Sequence, residues 1–372
     1  MTMTTTAATA QAKFEMMVAA GKDRATRGME SLAREWRLRH DFMAKPAAID
    51  VEFRQITGED GAPYTGAMRL AVDGSGSYDL THHARGQLLS MAKIPTAFAD
   101  TLGEHNLTDL LRSNLRTLLA RTSPGGILVR EVDGTAKGIL SPAYRRMDAS
   151  PMFEQFVGTA LRQGLVPHDG LVTETRAFVS FLQPAVVELL PNEHVVFALE
   201  LRNSDYGNGA LDMALGVWRL LCQNGMIGQS MFRKIHLGKR FDSFEGGEVV
   251  KLSAKTLALD SATLRSSMTD VMKALPAHIE ATTSTLREIA GKEVNLTSAL
   301  AKLSKAGLRK ATVEKVKALY ETAQPVESLP EMPGAWRFAN VLSLLANDTA
   351  LPGDEAHDLR EIGGSWLVGK AA

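Results

Sequence analysis

The run FRKIHLGKR, from Phe232 to Arg240, gathers Arg233, Lys234, His236, Lys239 and Arg240 within eight positions, with no acidic residue among them. Lys and Arg contacts to phosphate supply most of nonspecific nucleic-acid affinity, so this run is a candidate polyanion contact. Phe232 stands beside Arg233, and Tyr144 stands beside Arg145 and Arg146. An aromatic next to cations suits single-stranded nucleic acid, stacking a base while its backbone is neutralised. The same run reads equally as a solvated surface, and Phe232 equally as a core residue. A second basic stretch, Lys302, Lys305, Arg309, Lys310, Lys315 and Lys317, spans two short helical patterns around Gly307. With Glu314 and Glu321 interspersed, it reads as an exposed helical face rather than a helix-turn-helix.

Other chemistry finds less support. Every Gly-Lys pair is followed by Asp, Arg, Glu or Ala, so the phosphate-cradling loop that ends in Gly-Lys-Ser/Thr is absent, as are HExxH and GxSxG. His82 and His83 are adjacent, which points them apart in a helix or a strand, and they read as a helix start after Asp79-Leu80-Thr81. His168, Asp169, His194 and His236 can meet Glu200 or Asp205 only if the fold brings them together. Cys222, the single cysteine, lies in an apolar segment and reads as a small hydrophobe. Asn224-Gly225 reads as a tight turn. Asn203, Ser204 and Asp205, with Gly207 and Gly209, read either as a simple loop or as binding groups carried on a rigid sheet.

The chain has 372 residues, 42 basic and 42 acidic, so no bulk field draws it to nucleic acid or anionic lipid, and any polyanion site must be local. A hydrophobic content of 45% and a charged content of 23% are globular values. One cysteine excludes an internal disulfide and fits a reducing compartment. No signal-like or membrane-length apolar run is present, so a cytoplasmic protein without membrane contact is expected.

The segments that must position these groups are helical from about Gln11 to Phe42. Alternating strands follow over AIDVEFRQI, TGAMRLAVD and SYDLT. Three helices then run from His82 to Thr122, the last capped by Asn106 or Thr108. GILVREVD and AKGILS form a hairpin, and SPMFEQFVGTALRQ a helix with Ser150 at its cap and Pro151 at its first position. LVTETRAFVSFLQ, HVVFALELRN and LDMALGVWRLLC carry the strongest sheet signal, and the pattern from Ser253 onward is helical. The expected class is α+β, a central and mostly antiparallel sheet flanked by helices with a helical C-terminal region. The expected divisions are 1–47, a helical arm; 48–250, an α+β core domain; and 251–372, the helical region.

Four stretches carry a resemblance: GILSPAYRRMDASPMF, ELRNSDYGNGALDMALGVWRLLCQNGMI, KIHLGKR and PGAWRFANVLSLLAN. Together they resemble phage- and plasmid-like proteins grouped as domain of unknown function nine-three-two, from about Ile49 to the C-terminus with gaps. The most specific part is Asn203-Ser204 with its Gly-rich turn, followed by Arg219-Leu220-Leu221-Cys222-Gln223-Asn224-Gly225. The resemblance implies a mobile-element setting, in replication or recombination, without an assigned mechanism. With the basic clusters, the expectation is a nucleic-acid-binding protein that contacts single-stranded DNA, in a strand-annealing role and as a homo-oligomer. The residues expected to carry it are Arg145, Arg146, Arg233, Lys234, Lys239 and Arg240 for phosphate, with Tyr144 and Phe232 for stacking. No catalytic residue, metal or cofactor is assigned. The alternatives are an enzyme assembled around Asn203, Ser204, Asp205, Asn224 and His236, and a protein-interaction or anti-defence factor.

Overall fold

A computed structural model of the chain describes residues 7–57, 63–145, 147–220, 224–234, 253–322, 329–330, 334–348, 350–351 and 353–367. It opens with one long helix, α1 (Ala7–Leu38), whose 32 residues extend about 48 Å. The buried positions Ala10, Phe14, Met17, Gly21, Ala25, Gly28 and Leu32 recur every three or four residues, forming one helical stripe. Strand β1 (Arg39–Ala44) follows directly, where the sequence pattern had suggested helix to Phe42. Its six residues pair antiparallel with a later strand, and that ladder outweighs the local helical preference.

The first half continues as β2 (Ile49–Thr57), β3 (Pro63–Val72), β4 (Gly76–Leu80), α2 (His82–Met91), α3 (Thr96–Glu104), α4 (Thr108–Thr122), β5 (Ile127–Val132) and β6 (Thr135–Leu140). These strands form a sheet in the order β1-β5-β6-β4-β3-β2, antiparallel except where β4 runs parallel to β6. Its core packs Val51, Leu70, Val129 and Ile139 against Leu88, Leu89, Leu102, Leu111, Leu115 and Leu119 of the three helices. Thr81 caps α2 by accepting from the Ala84 amide at 3.1 Å, so His82 and His83 do begin a helix. Helix α4, in contrast, starts after Leu107 without a side-chain cap. Asn106 instead takes a left-handed φ of 56° where the chain leaves α3, a conformation asparagine tolerates.

The second half comprises α5 (Ala149–Arg162), β7 (Val166–Val172), β8 (Ala177–Leu182), β9 (Val187–Leu190), β10 (Glu193–Asn203), β11 (Leu211–Arg219) and β12 (Asn224–Lys234). They form a wholly antiparallel sheet, β12-β11-β10-β8-β7, with β9 also on β10. The α+β class with mostly antiparallel strands is as expected, and its strands are divided between two sheets. Asn224 and Gly225 pair with Arg219 and Trp218 as the first residues of a strand, rather than forming a turn.

The chain then enters α6 (Ala254–Lys273), α7 (Leu275–Ile289), α8 (Leu296–Lys305), α9 (Lys310–Glu321), α10 (Ala335–Leu345) and α11 (Gly353–Leu367), the helical C-terminal region. None of the described helices is long and apolar enough to cross a membrane.

Alternation along the second sheet divides its two faces. Val195, Phe197, Leu199 and Leu201 of β10 meet Met152, Phe153 and Phe156 of α5 and Leu264, Met268 and Met272 of α6. Val196 and Ala198 meet Ala10, Phe14 and Met17 of α1 on the other face. A third cluster, with Phe338 against Tyr320 and Trp366, joins α8 to α11. Within it Arg337, only 6% exposed, donates to the carbonyls of Leu319, Tyr320 and Thr322 at 3.2 Å, satisfying the orphan acceptors at the end of α9.

Candidate functional site

Register across the second sheet aligns one residue from each of five strands. Leu171 pairs with Phe178, Phe178 with Arg202, Arg202 with Asp212, and Asp212 with Arg233. Directly paired residues point to the same face, so this is one lateral row of side chains, strands about 4.8 Å apart. It begins apolar, passes through an ion cluster and ends in a cation. Helix α1 lies over β7 at one side and α11 packs on β12 at the other. Between them is a cavity of about 940 Å³ with this row in its lining.

Six arginines line it: Arg24, Arg27, Arg176, Arg202, Arg233 and Arg360. Arg24 pairs with Asp169 at 3.1 Å. Arg202 donates to Glu361 at 2.5 Å and to Asp212, and lies 3.5 Å from Glu200. Burial works against its charge, but those three carboxylates hold its pKa above the ordinary arginine value. Arg176 donates its Nε to the Asn208 carbonyl at 2.8 Å, and Arg360 an Nη to Asn347 at 3.0 Å, leaving its buried Nε without an acceptor among the described residues. Arg27 and Arg233 are exposed and have no ion-pair or hydrogen-bond partner among the described residues. The cavity therefore offers unspent cationic donors from α1 and from β12, while Asp169, Asp212 and Glu361 are already engaged.

Of the residues expected to contact nucleic acid, the structure places Arg233 in this groove and Lys234, Phe232, Arg145 and Tyr144 away from it; Asp169, Asn203 and Gly209, singled out on other grounds, also line it. Lys234 is exposed, but it pairs with Leu211 and so points to the opposite face of the sheet. Phe232 is partly buried, paired with Met213 and packed on the core beneath α5 and α6. Arg145 forms a two-pronged pair with Asp260 of α6, Nε at 2.7 Å. Tyr144 donates its hydroxyl to the Ser204 carbonyl at 3.1 Å, and burial raises its pKa. Arg146, Lys239, Arg240, His236 and Cys222 lie outside the described residues. The Arg24 and Arg27 wall and the Arg202 floor were not singled out, because α1 and β10 are brought together only by the tertiary fold.

The Asn203 to Asn208 segment joins the two sheets. Arg130 of β5, fully buried, donates to both oxygens of Asp41 at 3.1 Å, to Asp148 and to the Asp205 carbonyl at 2.7 Å. Arg39 pairs with Asp205 at 2.7 Å and Asp148 at 3.2 Å, and stacks on Trp36. Asp205 accepts from the Ala149 amide at 2.8 Å, capping α5 from the turn that follows β10. The helix begins at Ala149, with Asp148 rather than Ser150 as its flanking residue; the Asp148 carboxylate is held by Arg39 and Arg130 and makes no cap hydrogen bond. Asn203 donates to the Met147 carbonyl at 2.6 Å and Ser204 to that of Thr175 at 2.7 Å. The Tyr206 carbonyl meets Gln87 at 2.7 Å and His83 at 2.9 Å, and its hydroxyl donates to Glu35.

Two buried titratable groups shift in opposite senses. Burial pushes Asp205 up from 3.8 to about 6, against the pull of Arg130 and Arg39. Burial pushes His168 down from 6.5 to about 4 against the pull of Asp169, with Arg24 and Arg360 adding to the shift. The His168 ring is edge-on to Trp218 at 4.6 Å, and neither ring nitrogen has a partner among the described residues. His168 contributes stability that is full above 6.5 and lost as pH falls toward 4, whereas Asp205 contributes stability that is full below 3.8 and lost as pH rises through 6. Each contribution is worth about 3 kcal/mol at its limit, so they largely cancel in between. Urea denaturation between about pH 4 and pH 6 should show His168→Phe gaining stability on acidification relative to wild type, and Asp205→Asn losing it.

Among the described residues no cluster of three or more His, Cys, Asp or Glu side chains is arranged to hold a metal ion. No protein-family model, curated protein or solved structure matches the chain.

Proposed function

We propose that this protein binds nucleic acid, single-stranded DNA foremost, in the groove between α1 and α11. The observation that carries the reading is the pair Arg27 and Arg233: two exposed guanidinium groups on separate elements line one cavity with no carboxylate spent on them. Arg176 and Arg360 stand in the same lining with donors to spare. Arginine forks suit phosphate oxygens, and local cations of this kind serve a chain whose net charge is zero. The resemblance to phage- and plasmid-like proteins supplies the setting, recombination or replication, with strand annealing by an oligomer as the role. The alternative catalytic centre is disfavoured at Asn203, Ser204 and Asp205, whose polar groups already hold the two sheets and α5 together.

Fluorescence-anisotropy titration of labelled single-stranded DNA over a range of salt tests the reading. Arg27→Glu and Arg233→Glu should each weaken binding roughly ten-fold and lower the slope of log affinity against log salt by about one. Affinity and slope unchanged in both variants would place any binding surface elsewhere.

A further inference from the structure

The floor of the groove carries a feature that phosphate contacts do not use. Leu171 and Phe178 are a directly paired couple on the β7–β8 hairpin, both in the cavity lining. Leu171 is 49% exposed and Phe178 partly buried, and neither belongs to any of the four apolar clusters among the described residues. A leucine and a phenylalanine side by side, outside the core, form an apolar ledge. Arg27 and Arg176 line the cavity with it, and Arg202 is the next residue in the row. Large apolar groups left beside arginines with free donors suit a ligand that carries flat apolar rings on an anionic chain.

We infer that Leu171 and Phe178 seat an unpaired base while the arginines hold the phosphates on either side. The inference rests on the nucleic-acid reading and deepens it, since it makes the groove selective for strands with unstacked bases. A duplex keeps its base faces stacked inside and has none to offer, whereas every single-stranded base has a face that stacks irrespective of sequence. Three strand spacings separate Phe178 from Arg233, about 14 Å. The row thus holds a base at one end and a phosphate at the other, with the Arg202 ion cluster between them. Phe178 is a binding residue in this account, and it reads bases without regard to their identity.

The test compares an oligodeoxythymidylate with an abasic oligomer of the same phosphate number, by anisotropy at constant salt. The wild-type protein should bind the base-bearing strand roughly ten-fold more tightly, in keeping with one stacked base. Phe178→Ala and, at the more exposed position, Leu171→Ala should shrink that preference toward parity without changing the salt slope, because no phosphate contact is lost. Phe178→Trp should preserve it. Equal binding of the two strands by the wild type would overturn the ledge and leave the arginine groove standing. Competition by free thymidine triphosphate as effective as that by the oligomer would overturn the strand as ligand in favour of a single nucleotide. Absence of binding to either strand would overturn the nucleic-acid reading and the ledge with it.

Discussion

Arg130→Ala is expected to lower the stability of the protein by about 3–5 kcal/mol, the cost of stranding buried charge after its partner is removed. The arginine is fully buried, and its fork is shared among Asp41, Asp148 and the Asp205 carbonyl. Burial alone would lower its pKa, but the Asp41 hydrogen bonds and the surrounding carboxylates raise it, so it stays charged across the working range. Its removal leaves Arg39 as the remaining arginine facing three aspartates. Arg130→Lys keeps the charge but cannot reach all three acceptors, so it should recover part of the loss. Equilibrium denaturation in urea reads both. A loss below about 1 kcal/mol for Arg130→Ala would show that this junction does not hold the sheets together.

Gly21→Ala should be comparably damaging, although alanine favours a helix over glycine by about 1 kcal/mol. A Cβ at Gly21 would lie 2.0 Å from the His168 carbonyl oxygen, and one at Gly28 2.5 Å from the Gly170 carbonyl carbon. Both obstacles are backbone and cannot swing aside, so α1 must lift from β7. The expected cost is about 3 kcal/mol or more at each position, at the upper end of overpacking. Gly86→Ala in α2 and Gly103→Ala in α3 are the controls, since nothing lies within 4 Å of a Cβ there. They should stabilise by up to about 1 kcal/mol. Stability differences of the same sign in all four variants would contradict a tight seat for α1. Because Arg24 and Arg27 are carried on this helix, lifting it also removes one wall of the groove.

These two sites show what local sequence conveys and what it hides. The α+β class, the hairpin of β5 and β6 and most helices of the C-terminal region were legible, because apolar spacing and turn residues report directly on local structure. The stripe of α1 was faint, since its central contacts are Gly21, Ala25 and Gly28, which add nothing to a hydrophobic pattern. The division of the strands into two sheets was hidden, as it depends on partners such as Arg39 and Asp205, far apart in the chain. The basic run illustrates the same limit at the candidate site. Arg233 and Lys234 are adjacent in sequence, yet a strand sends them to opposite faces, while Arg27 and Arg233 share one cavity. Tyr144 with Arg145 reads as a stacking pair, but the fold gives each a polar partner within the chain.

The most direct measurement of the groove's role is photocrosslinking of iodouracil-substituted single-stranded DNA to the intact protein, with the attached peptides mapped by mass spectrometry. Binding in the groove predicts crosslinks on the β7–β8 hairpin around Leu171 and Phe178 and on β12 near Arg233, both lost on competition with unlabelled strand. Saturable crosslinks confined to the basic face of α8 and α9, with none on the hairpin or β12, would contradict it.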